Sequence, residues 1–378
     1  MASSHASARF DSSVYGERLS RAATLTRDAG LDAIVVGTGP DLRYLVGSQA
    51  ETFERLTALV VPAEGSAHLV TARLELASLA DSALADLGVE ILDWVDGDDP
   101  YHLALQGLPE NPKLAVGDAL PALHLIPLSE RTGEPIRLAT PVLRELRMIK
   151  DAAELDALRE AGAAIDRVHA RMGEWLRPGR TESDVAADIT AAIVAEGHTG
   201  AEFVIVGSGP NGADPHHEQS DRVITGDDIV VIDIGGPVGV GYNSDSTRTY
   251  CFAEPSAEVA AAYDALQRAQ AAAVQAARPG VTAESVDAAA RQVLADAGLA
   301  EYFIHRTGHG IGLSVHEEPY IVAGNSTTLR PGMAFSVEPG VYFPGHWGAR
   351  IEDIVVLTED GCEPLNKRPH ELVVLDTP

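Results

Sequence analysis

Residues 229–249 read IVVIDIGGPVGVGYNSDSTRT. The first four residues are apolar and β-branched, which predicts a strand buried on both faces. Glycines and a proline at positions 235–241 predict a hairpin turn. The β-rich run that follows, residues 242–250, predicts the return strand. The stretch therefore predicts a β-hairpin.

The predicted hairpin carries one aspartate on each strand. Asp233 directly follows the apolar run, where a carboxylate is costly to bury unless it is paired or bound to a metal. Asp245 lies in the return strand, so pairing of the strands can place the two carboxylates side by side. The alternative at this point is an aspartate in a turn and a second one paired with Arg248.

Length and composition limit the classes of protein. The chain has 378 residues, which is long for a single hydrophobic core and favours two domains. No apolar run approaches the roughly 20 residues of a membrane helix, and residues 1–10 lack the pattern of a secretory signal. The two cysteines, Cys251 and Cys362, predict free thiols in a reducing cytoplasm. The net charge of −28 argues against nucleic acid and anionic membranes as partners.

Strands and helices alternate along the first part of the chain. Strands are predicted at 33–36, 57–61 and near residues 91 and 114, and helices at 15–29, 72–87 and 119–129. This alternation predicts an α/β domain, residues 1–148. Residues 149–378 form the second predicted domain, in which a long helix begins at Asp151 and two helices, 256–278 and 282–298, follow the hairpin.

Three histidines lie close together after the last predicted helix: His305, His309 and His316. Gly308 and Gly310 flank His309, which allows close approach to the backbone and leaves the imidazole reaching outward. A surface loop rich in histidine is the alternative. The density of imidazoles favours a site.

Two more acids accompany short apolar runs near the C-terminus. Glu338 ends the run 335–337, and Glu352 is predicted to lie within a strand, residues 350–356. Each acid alone fits a solvated or salt-bridged group. Together with Asp233 and Asp245, they form a set of four acids in or beside strands that are too apolar for a protein surface.

The charge of such a set favours bound metal. Two like charges about 4 Å apart repel by roughly 4 kcal/mol at an effective dielectric constant of 20. Two divalent cations would formally offset four carboxylates. With His309 as the one nitrogen donor, the set is dominated by oxygen, which favours manganese or cobalt over a structural zinc.

These segments resemble the pita-bread metallopeptidases, a family that includes methionine aminopeptidase, aminopeptidase P and Xaa-Pro dipeptidase (prolidase). The resemblance rests on five segments: Asp233-Ile234-Gly235, Tyr242-Asn243-Ser244-Asp245-Ser246-Thr247-Arg248-Thr249, Gly308-His309-Gly310, Val337-Glu338-Pro339-Gly340 and Arg350-Ile351-Glu352-Asp353. Asp233 and Asp245 are one residue further apart than is usual in the family, so the register of this pair is the least secure part of the match.

The resemblance extends over nearly the whole chain. Arg147-Met148-Ile149-Lys150 resembles the family's domain junction, and residues 14–147 resemble its creatinase-type N-terminal domain. Typical methionine aminopeptidases lack that domain, and creatinase lacks the metal ligands. The expected fold is therefore α/β, with a creatinase-type N-terminal domain followed by a pita-bread catalytic domain.

The resemblance also implies the metal site and its chemistry. It implies two divalent ions per chain, with manganese expected first and cobalt or zinc as alternatives. The ligands would be Asp233, Asp245, His309, Glu338 and Glu352. Glu338 would also act as general base.

Other residues match positions that contact substrate in the family. His216 matches a substrate-contacting histidine, with His217 as a competitor or a solvated neighbour, and His316 matches the histidine beside the scissile carbonyl. Arg350 matches a residue near the proline end of the substrate, although a salt bridge to a ligand carboxylate is an equal alternative. Asp41 matches a stretch of the N-terminal domain that closes the site of a partner subunit, which implies a homodimer, and the alternative is that Asp41 only caps a turn.

The predicted function is hydrolysis of Xaa-Pro bonds, most readily in dipeptides. Such a bond is a tertiary amide without an N–H, so peptidases that need that donor handle it poorly. The enzymatic alternative is aminopeptidase P, which takes longer peptides. A different class is an inactive pita-bread module that binds other proteins, but such modules usually lose ligands and all five are present here.

Overall fold

The computed structural model describes residues 9–51 and 54–376. The chain divides into two compact units, Met1–Arg147 and Met148–Pro378, a division one residue away from the predicted boundary. Both units mix helices and strands, which confirms the α/β fold class. Among the described residues, no helix has the length and apolarity that crossing a membrane requires.

The N-terminal unit is built on a six-stranded sheet in the order β4-β3-β2-β1-β5-β6. The pairs β1–β2 and β2–β3 are antiparallel, and the other neighbours are parallel. Its strands are β1 (Ala33–Gly37), β2 (Ala58–Pro62), β3 (His68–Ala72), β4 (Glu90–Trp94), β5 (Leu114–Val116) and β6 (Arg137–Leu138). Its helices are α1 (Ser12–Asp28), α2 (Pro40–Val46), α3 (Pro100–Ala104), α4 (Ala122–Thr132) and α5 (Thr140–Arg147).

The predicted helix at 72–87 is wrong. Strand β3 takes up Ala72, and only a short 3₁₀ helix follows, Arg73–Leu79. Leu74 and Leu76 are exposed in this segment, whereas Leu79 and Leu84 are buried. The alanine and leucine content therefore does not give the continuous apolar face that a packed helix needs.

The C-terminal unit has two helix pairs, each packed on a sheet. One core joins the helices α6 and α7 to β8 and β9, and another joins α8 and α9 to β12, β13 and β15. The helices are α6 (Ala152–Ala170), α7 (Glu182–Ala195), α8 (Ala257–Ala276) and α9 (Ala283–Asp296). The strands are β7 (Phe203–Ser208), β8 (Val230–Val238), β9 (Tyr242–Cys251), β10 (Gly308–Gly310), β11 (Glu317–Ile321), β12 (Ala334–Val337), β13 (Gly340–Phe343), β14 (Trp347–Arg350), β15 (Asp353–Leu357), β16 (Cys362–Pro364) and β17 (Val373–Val374).

The strands of this unit form three sheets, with the orders β17-β9-β8-β7, β11-β10-β12-β15-β16 and β13-β14. The predicted hairpin is the antiparallel pair β8–β9. Its turn is shorter than predicted, because β8 continues through Val238. A Cβ atom on Gly235 would lie 2.3 Å from the carbonyl oxygen of Ser244, so this glycine permits close packing of the strands instead of forming the turn.

The register of the hairpin decides how its two aspartates are placed. Asp233 lies opposite Thr247, and Asp245 lies opposite Gly235. The aspartates are therefore diagonal neighbours on one face of the sheet, within reach of each other, and not directly opposed. Cys251 and Cys362 are both free thiols.

Candidate active site

Five segments of the C-terminal unit bring the predicted ligand residues together. Asp233 lies in β8, Asp245 in β9 and His309 in β10, while Glu338 directly follows β12. Glu352 was predicted within a strand, but it lies in the break between β14 and β15. The strand is interrupted there because β14 pairs with β13 whereas β15 pairs with β12.

The glycines beside His309 make room for the neighbouring strands. A Cβ atom on Gly308 would lie 1.8 Å from the carbonyl oxygen of Ser336, and one on Gly310 would lie 2.3 Å from that of Glu318. Any side chain at these positions would push β11 or β12 away. The glycines thus fix His309 in a narrow strand between its two neighbours.

The imidazole of His309 is oriented toward the acids. Nδ1 lies 3.1 Å from the carbonyl oxygen of Gly310, which can only accept, so Nδ1 carries a proton. Nε2 faces Glu338 at 3.2 Å and Asp245 at 3.6 Å. A proton or a cation at Nε2 is needed between these groups, and the hydrogen bond with Glu338 raises the pKa of His309 against the effect of burial. Such an orienting bond on Nδ1 is usual for metal-binding histidines.

Asp233 is held by one oxygen only. Its Oδ2 lies 2.6 Å from Nη2 of Arg350. Its Oδ1 is buried and has no hydrogen-bond partner among the described residues. An orphaned carboxylate oxygen in the interior is unfavourable unless a ligand completes it.

Asp245 and Glu352 are buried acids whose surroundings oppose their negative charge. Burial raises the pKa of Asp245 well above its ordinary value, and the neighbouring carboxylate of Asp233 adds to the increase. Burial and the carboxylate of Asp245 do the same to the pKa of Glu352. Donor atoms of Asp245, His309 and Glu352 lie within 4.8 Å of one another, close enough to share a metal ion. The donor set therefore fits bound cations.

Glu338 differs from Asp245 and Glu352 because its pKa is lowered instead of raised. It accepts from the hydroxyl of Ser336 at 2.9 Å and lies beside Nε2 of His309. Burial alone would raise the pKa of Glu338, but the hydrogen bond and charge of His309 outweigh it and hold the pKa at about 2. Glu338 is therefore ionised at neutral pH.

Arg350 is the centre of a buried network on one side of the acids. Besides Asp233, it donates to the hydroxyl of Tyr342 at 2.7 Å and to that of Thr247 at 3.0 Å. Nε2 of His305 also lies 2.8 Å from the Tyr342 hydroxyl. The salt-bridge alternative for Arg350 is thus the geometry seen here. His305 is connected to Asp233 through Tyr342 and Arg350.

Sequence reasoning missed Tyr342 and assigned no role to Thr247. The hydroxyl of Thr247 donates to Glu352 at 2.7 Å, so it orients that carboxylate. Thr247 lies two residues after Asp245, so the two side chains are on the same face of the strand. This spacing was a signal that the sequence offered. Tyr342 carried no such signal, since an aromatic residue in a strand is ordinary.

A cavity of about 690 Å³ opens over the acids. All five predicted ligand residues line it, as do His216, His316 and Arg350. The rings of His309 and His316 are 4.1 Å apart. Burial and then the charges of His309 and Arg306 lower the pKa of His316 to about 4. The apolar parts of the wall are Phe203, Ile205, Pro215 and Val315.

Two predicted residues do not line the cavity. His217, expected to be a solvated neighbour, turns toward Glu182 instead, and its Nε2 lies 2.8 Å from Oε2 of that buried acid. Asp41 belongs to the N-terminal unit, where it accepts from Nη1 of Arg147 at 2.7 Å. A role for Asp41 in binding substrate stays a prediction.

Comparison with known proteins gives two family matches. The model of metallopeptidase family M24 matches residues 156–359. The model of the creatinase/prolidase N-terminal domain matches residues 18–149. Together they span most of the chain.

Individual relatives match over almost their full length. The probable dipeptidase PepE of Mycobacterium tuberculosis is 65% identical over 98% of this chain and 99% of its own. An Xaa-Pro dipeptidase of Lactobacillus delbrueckii is 33% identical over 92% of this chain and 96% of its own. The crystal structure of dipeptidase PepE from Mycobacterium ulcerans superposes with a TM-score of 0.94 at 65% identity, covering 97% of this chain and 100% of that one. The predicted creatinase-type and pita-bread domains are confirmed.

Proposed function

Since the chain belongs to metallopeptidase family M24, we propose that it is a dipeptidase that hydrolyses the Xaa-Pro bond and requires two divalent metal ions. One observation carries this proposal. Four carboxylates and the imidazole of His309 line one cavity, and one of their oxygens, Oδ1 of Asp233, is buried without a partner among the described residues. The buried charge is excessive unless cations bind there.

The residues proposed to hold the ions are Asp233, Asp245, His309, Glu338 and Glu352. When bound, a pair of such ions supplies a Lewis acid for the substrate carbonyl and lowers the pKa of a water molecule. The oxygen-rich set suits manganese, with cobalt or zinc as alternatives. Arg350 and Thr247 hold Asp233 and Glu352 in place for this purpose.

Glu338 is the proposed general base. It is ionised, it lies at the wall of the cavity, and its carboxylate lies close to the hydroxyl of Ser336 and to Nε2 of His309. It would take a proton from the attacking water and pass it to the imino nitrogen of the leaving proline. An amide nitrogen leaves as an amine only when it gains a proton, so the transfer is essential.

His216 and His316 are the proposed donors to the substrate. Both lie on the cavity wall, and neither is among the proposed ligands. Because its pKa is about 4, His316 is uncharged at neutral pH and offers an N–H to the carbonyl oxygen as negative charge develops. His216 would donate a second hydrogen bond to the peptide.

The walls of the cavity suit a proline ring. Phe203, Ile205, Pro215 and Val315 give an apolar surface beside the acids. A pyrrolidine ring buries apolar carbon and carries no N–H that would need a partner. The N–H of a secondary amide in the same place would require one.

Arg306 is a second candidate for binding the carboxylate of the substrate. The guanidinium of Arg350, to which the sequence assigned this contact, is committed to Asp233, Tyr342 and Thr247. Arg306 also lines the cavity; its guanidinium lies 4.6 Å from the ring centre of Tyr320 and forms no ion pair within the described part of the chain. We propose that Arg306 grips the C-terminal carboxylate while Arg350 neutralises the ligand acids.

Substrate length tests the proposal. Product analysis on Ala-Pro, Ala-Pro-Ala and longer peptides should show fastest cleavage of the dipeptide. Faster removal of alanine from the longer peptides would indicate aminopeptidase P activity. No cleavage of any of them by protein saturated with metal would favour a binding module.

A further inference from the structure

We propose that Glu182 is a positioning residue that fixes the His216 loop, residues 208–222, through its buried carboxylate. The proposal rests on the proposed function only in that His216 contacts the substrate. Glu182 does not line the cavity and touches none of the proposed metal ligands. Its role is exerted through the loop.

The carboxylate of Glu182 collects hydrogen bonds from across the loop. Oε1 accepts from the backbone N–H of Ser208 at 2.8 Å, from the Ser208 hydroxyl at 2.6 Å and from Asn211 at 3.1 Å. Oε2 accepts from His217 at 2.8 Å, from the Ser220 hydroxyl at 2.7 Å, and from the Ser220 N–H and Asn211 at 3.2 and 3.1 Å. We call this group of five residues the Glu182 cluster.

The Glu182 cluster ties both ends of the loop to one point. Ser208 ends β7 and Ser220 lies twelve residues later, so the segment between them is closed by a single side chain. His216 stands inside the closed segment, directly before His217. The loop could hardly move His216 without breaking a bond to Glu182.

The chemistry of the site requires a carboxylate. Every partner is a donor: two backbone N–H groups, two hydroxyls, one amide NH₂ and one imidazole nitrogen. Burial opposes ionisation of Glu182, but the hydrogen bonds from Ser208, Ser220 and His217 outweigh it and lower its pKa. A glutamine would turn an NH₂ donor against these donors while keeping the size of the side chain.

The neighbouring pair Arg222 and Asp228 reinforces the same loop. Arg222 donates to Asp228 at 2.6 Å and, with the same nitrogen, to the hydroxyl of Ser208 at 2.6 Å. Asp228 also accepts from the N–H of Thr225 at 2.7 Å. The far end of the loop is thus held by contacts that do not involve Glu182. We therefore do not expect the whole loop to unfold in a Glu182 variant.

Hydrogen exchange gives a readout that does not depend on activity. In Glu182→Gln, we expect amides of residues 208–222 to exchange about 10-fold faster than in the wild type, and about 3-fold faster in His217→Asn, which removes one bond. The matched control is Asp166→Asn. Asp166 is a buried carboxylate of α6 that accepts from the N–H of Lys367, and it lines no part of the cavity. Exchange of residues 208–222 should be unchanged in the control.

Kinetics on Ala-Pro then test whether the effect passes through His216. We expect Glu182→Gln to lower kcat about 10- to 100-fold with two metal ions still bound and KM within about 3-fold. In a His216→Ala background, the same substitution should lower kcat less than 2-fold, because the residue that it positions is gone. Asp166→Asn should match the wild type in both backgrounds.

The outcomes separate this proposal from the proposed function. Unchanged exchange in Glu182→Gln, or an equal loss of kcat with and without His216, would overturn the positioning role. If the wild type cleaves no Xaa-Pro dipeptide, the proposed function fails, and the exchange data alone decide for or against the Glu182 cluster. If Glu182→Gln does not fold, His217→Asn carries the same comparison.

Discussion

Arg350 binds one carboxylate oxygen of Asp233 at 2.6 Å and leaves the other oxygen buried without a hydrogen-bond partner among the described residues. The arginine holds the acid at a fixed orientation and offsets part of its charge. Asp233 also lines the cavity, together with Asp245. A carboxylate with one oxygen held by a structural partner and the other left without one is compatible with a metal ligand.

Loss of Asp245 should remove metal from the site. Oδ2 of Asp245 lies 3.6 Å from Nε2 of His309, and donor atoms of Asp245, His309 and Glu352 lie within 4.8 Å of one another. We expect Asp245→Ala to bind both ions at least about 10-fold more weakly and to lose activity. Metal analysis after dialysis measures this, with Asp166→Ala as a control that keeps two ions. A fully active, metal-free Asp245→Ala would exclude the proposed centre.

The substrate histidines should behave differently from the ligands. We expect His216→Ala and His316→Ala to retain two ions and to lose about 10²–10³ in kcat, the usual effect of removing one donor to a developing oxyanion. His217→Ala should lose less, since His217 contacts Glu182 and not the cavity. Steady-state kinetics with metal analysis decide the assignment. A large loss in His217→Ala with none in His216→Ala would reverse it.

Recognition of the free carboxylate should depend on Arg306. We expect the wild type to cleave Ala-Pro about 10- to 100-fold more efficiently than its C-terminal amide, the effect of a charge-assisted contact worth roughly 1.5–3 kcal/mol. In Arg306→Gln, this ratio of kcat/KM should fall toward one. Arg268→Gln, at an exposed position on α8, is the control and should keep the ratio. If Arg306→Gln keeps the ratio of the wild type, the carboxylate of the substrate would instead be assigned to Arg350.

Acid should destabilise the C-terminal unit through His169. Its Nε2 faces the carbonyl oxygen of Ser246 at 3.1 Å and must donate, while Nδ1 accepts from the hydroxyl of Tyr250 at 2.9 Å, so the ring is neutral. Burial lowers the pKa of His169 from 6.5 to about 3. The folded state therefore binds fewer protons than the unfolded state between these values, and its stability is complete above pH 6.5 and falls as the pH drops.

The predicted slope from this residue is about 1.4 kcal/mol per pH unit between pH 6 and pH 4. Thermal or urea unfolding across this range should show a shallower dependence in His169→Gln, in which the residue cannot titrate. His102→Gln, an exposed position on α3, should keep the slope of the wild type. Equal slopes in His169→Gln and the wild type would contradict the assignment.

The sequence was informative about residues whose type is unusual for their local surroundings. Asp233 and Asp245 stood out as acids in or beside apolar, β-rich runs, and His309 stood out as a histidine between two glycines, without any knowledge of the fold. The contacts of these residues could not be predicted from the sequence, because each contact joins segments that are far apart along the chain. Arg350 and Asp233 are separated by 117 residues, and only the pairing of strands decides that they meet.

The contacts of Glu182 could not be predicted from the sequence either. An acid in the first turn of a helix is ordinary, since the helix dipole favours it there. Nothing in the local sequence indicates that Ser208, His217 and Ser220 converge on it. The manganese preference, the homodimer and the cytoplasmic location stay predictions of the sequence.

The requirement for two metal ions is tested most directly by a metal titration of protein that a chelator has stripped of metal, followed by hydrolysis of Ala-Pro. We expect no activity in the stripped protein and a rise with added Mn²⁺ that levels off at two equivalents per chain. Full activity in the stripped protein, or no hydrolysis of Ala-Pro at any ratio of metal, would contradict it.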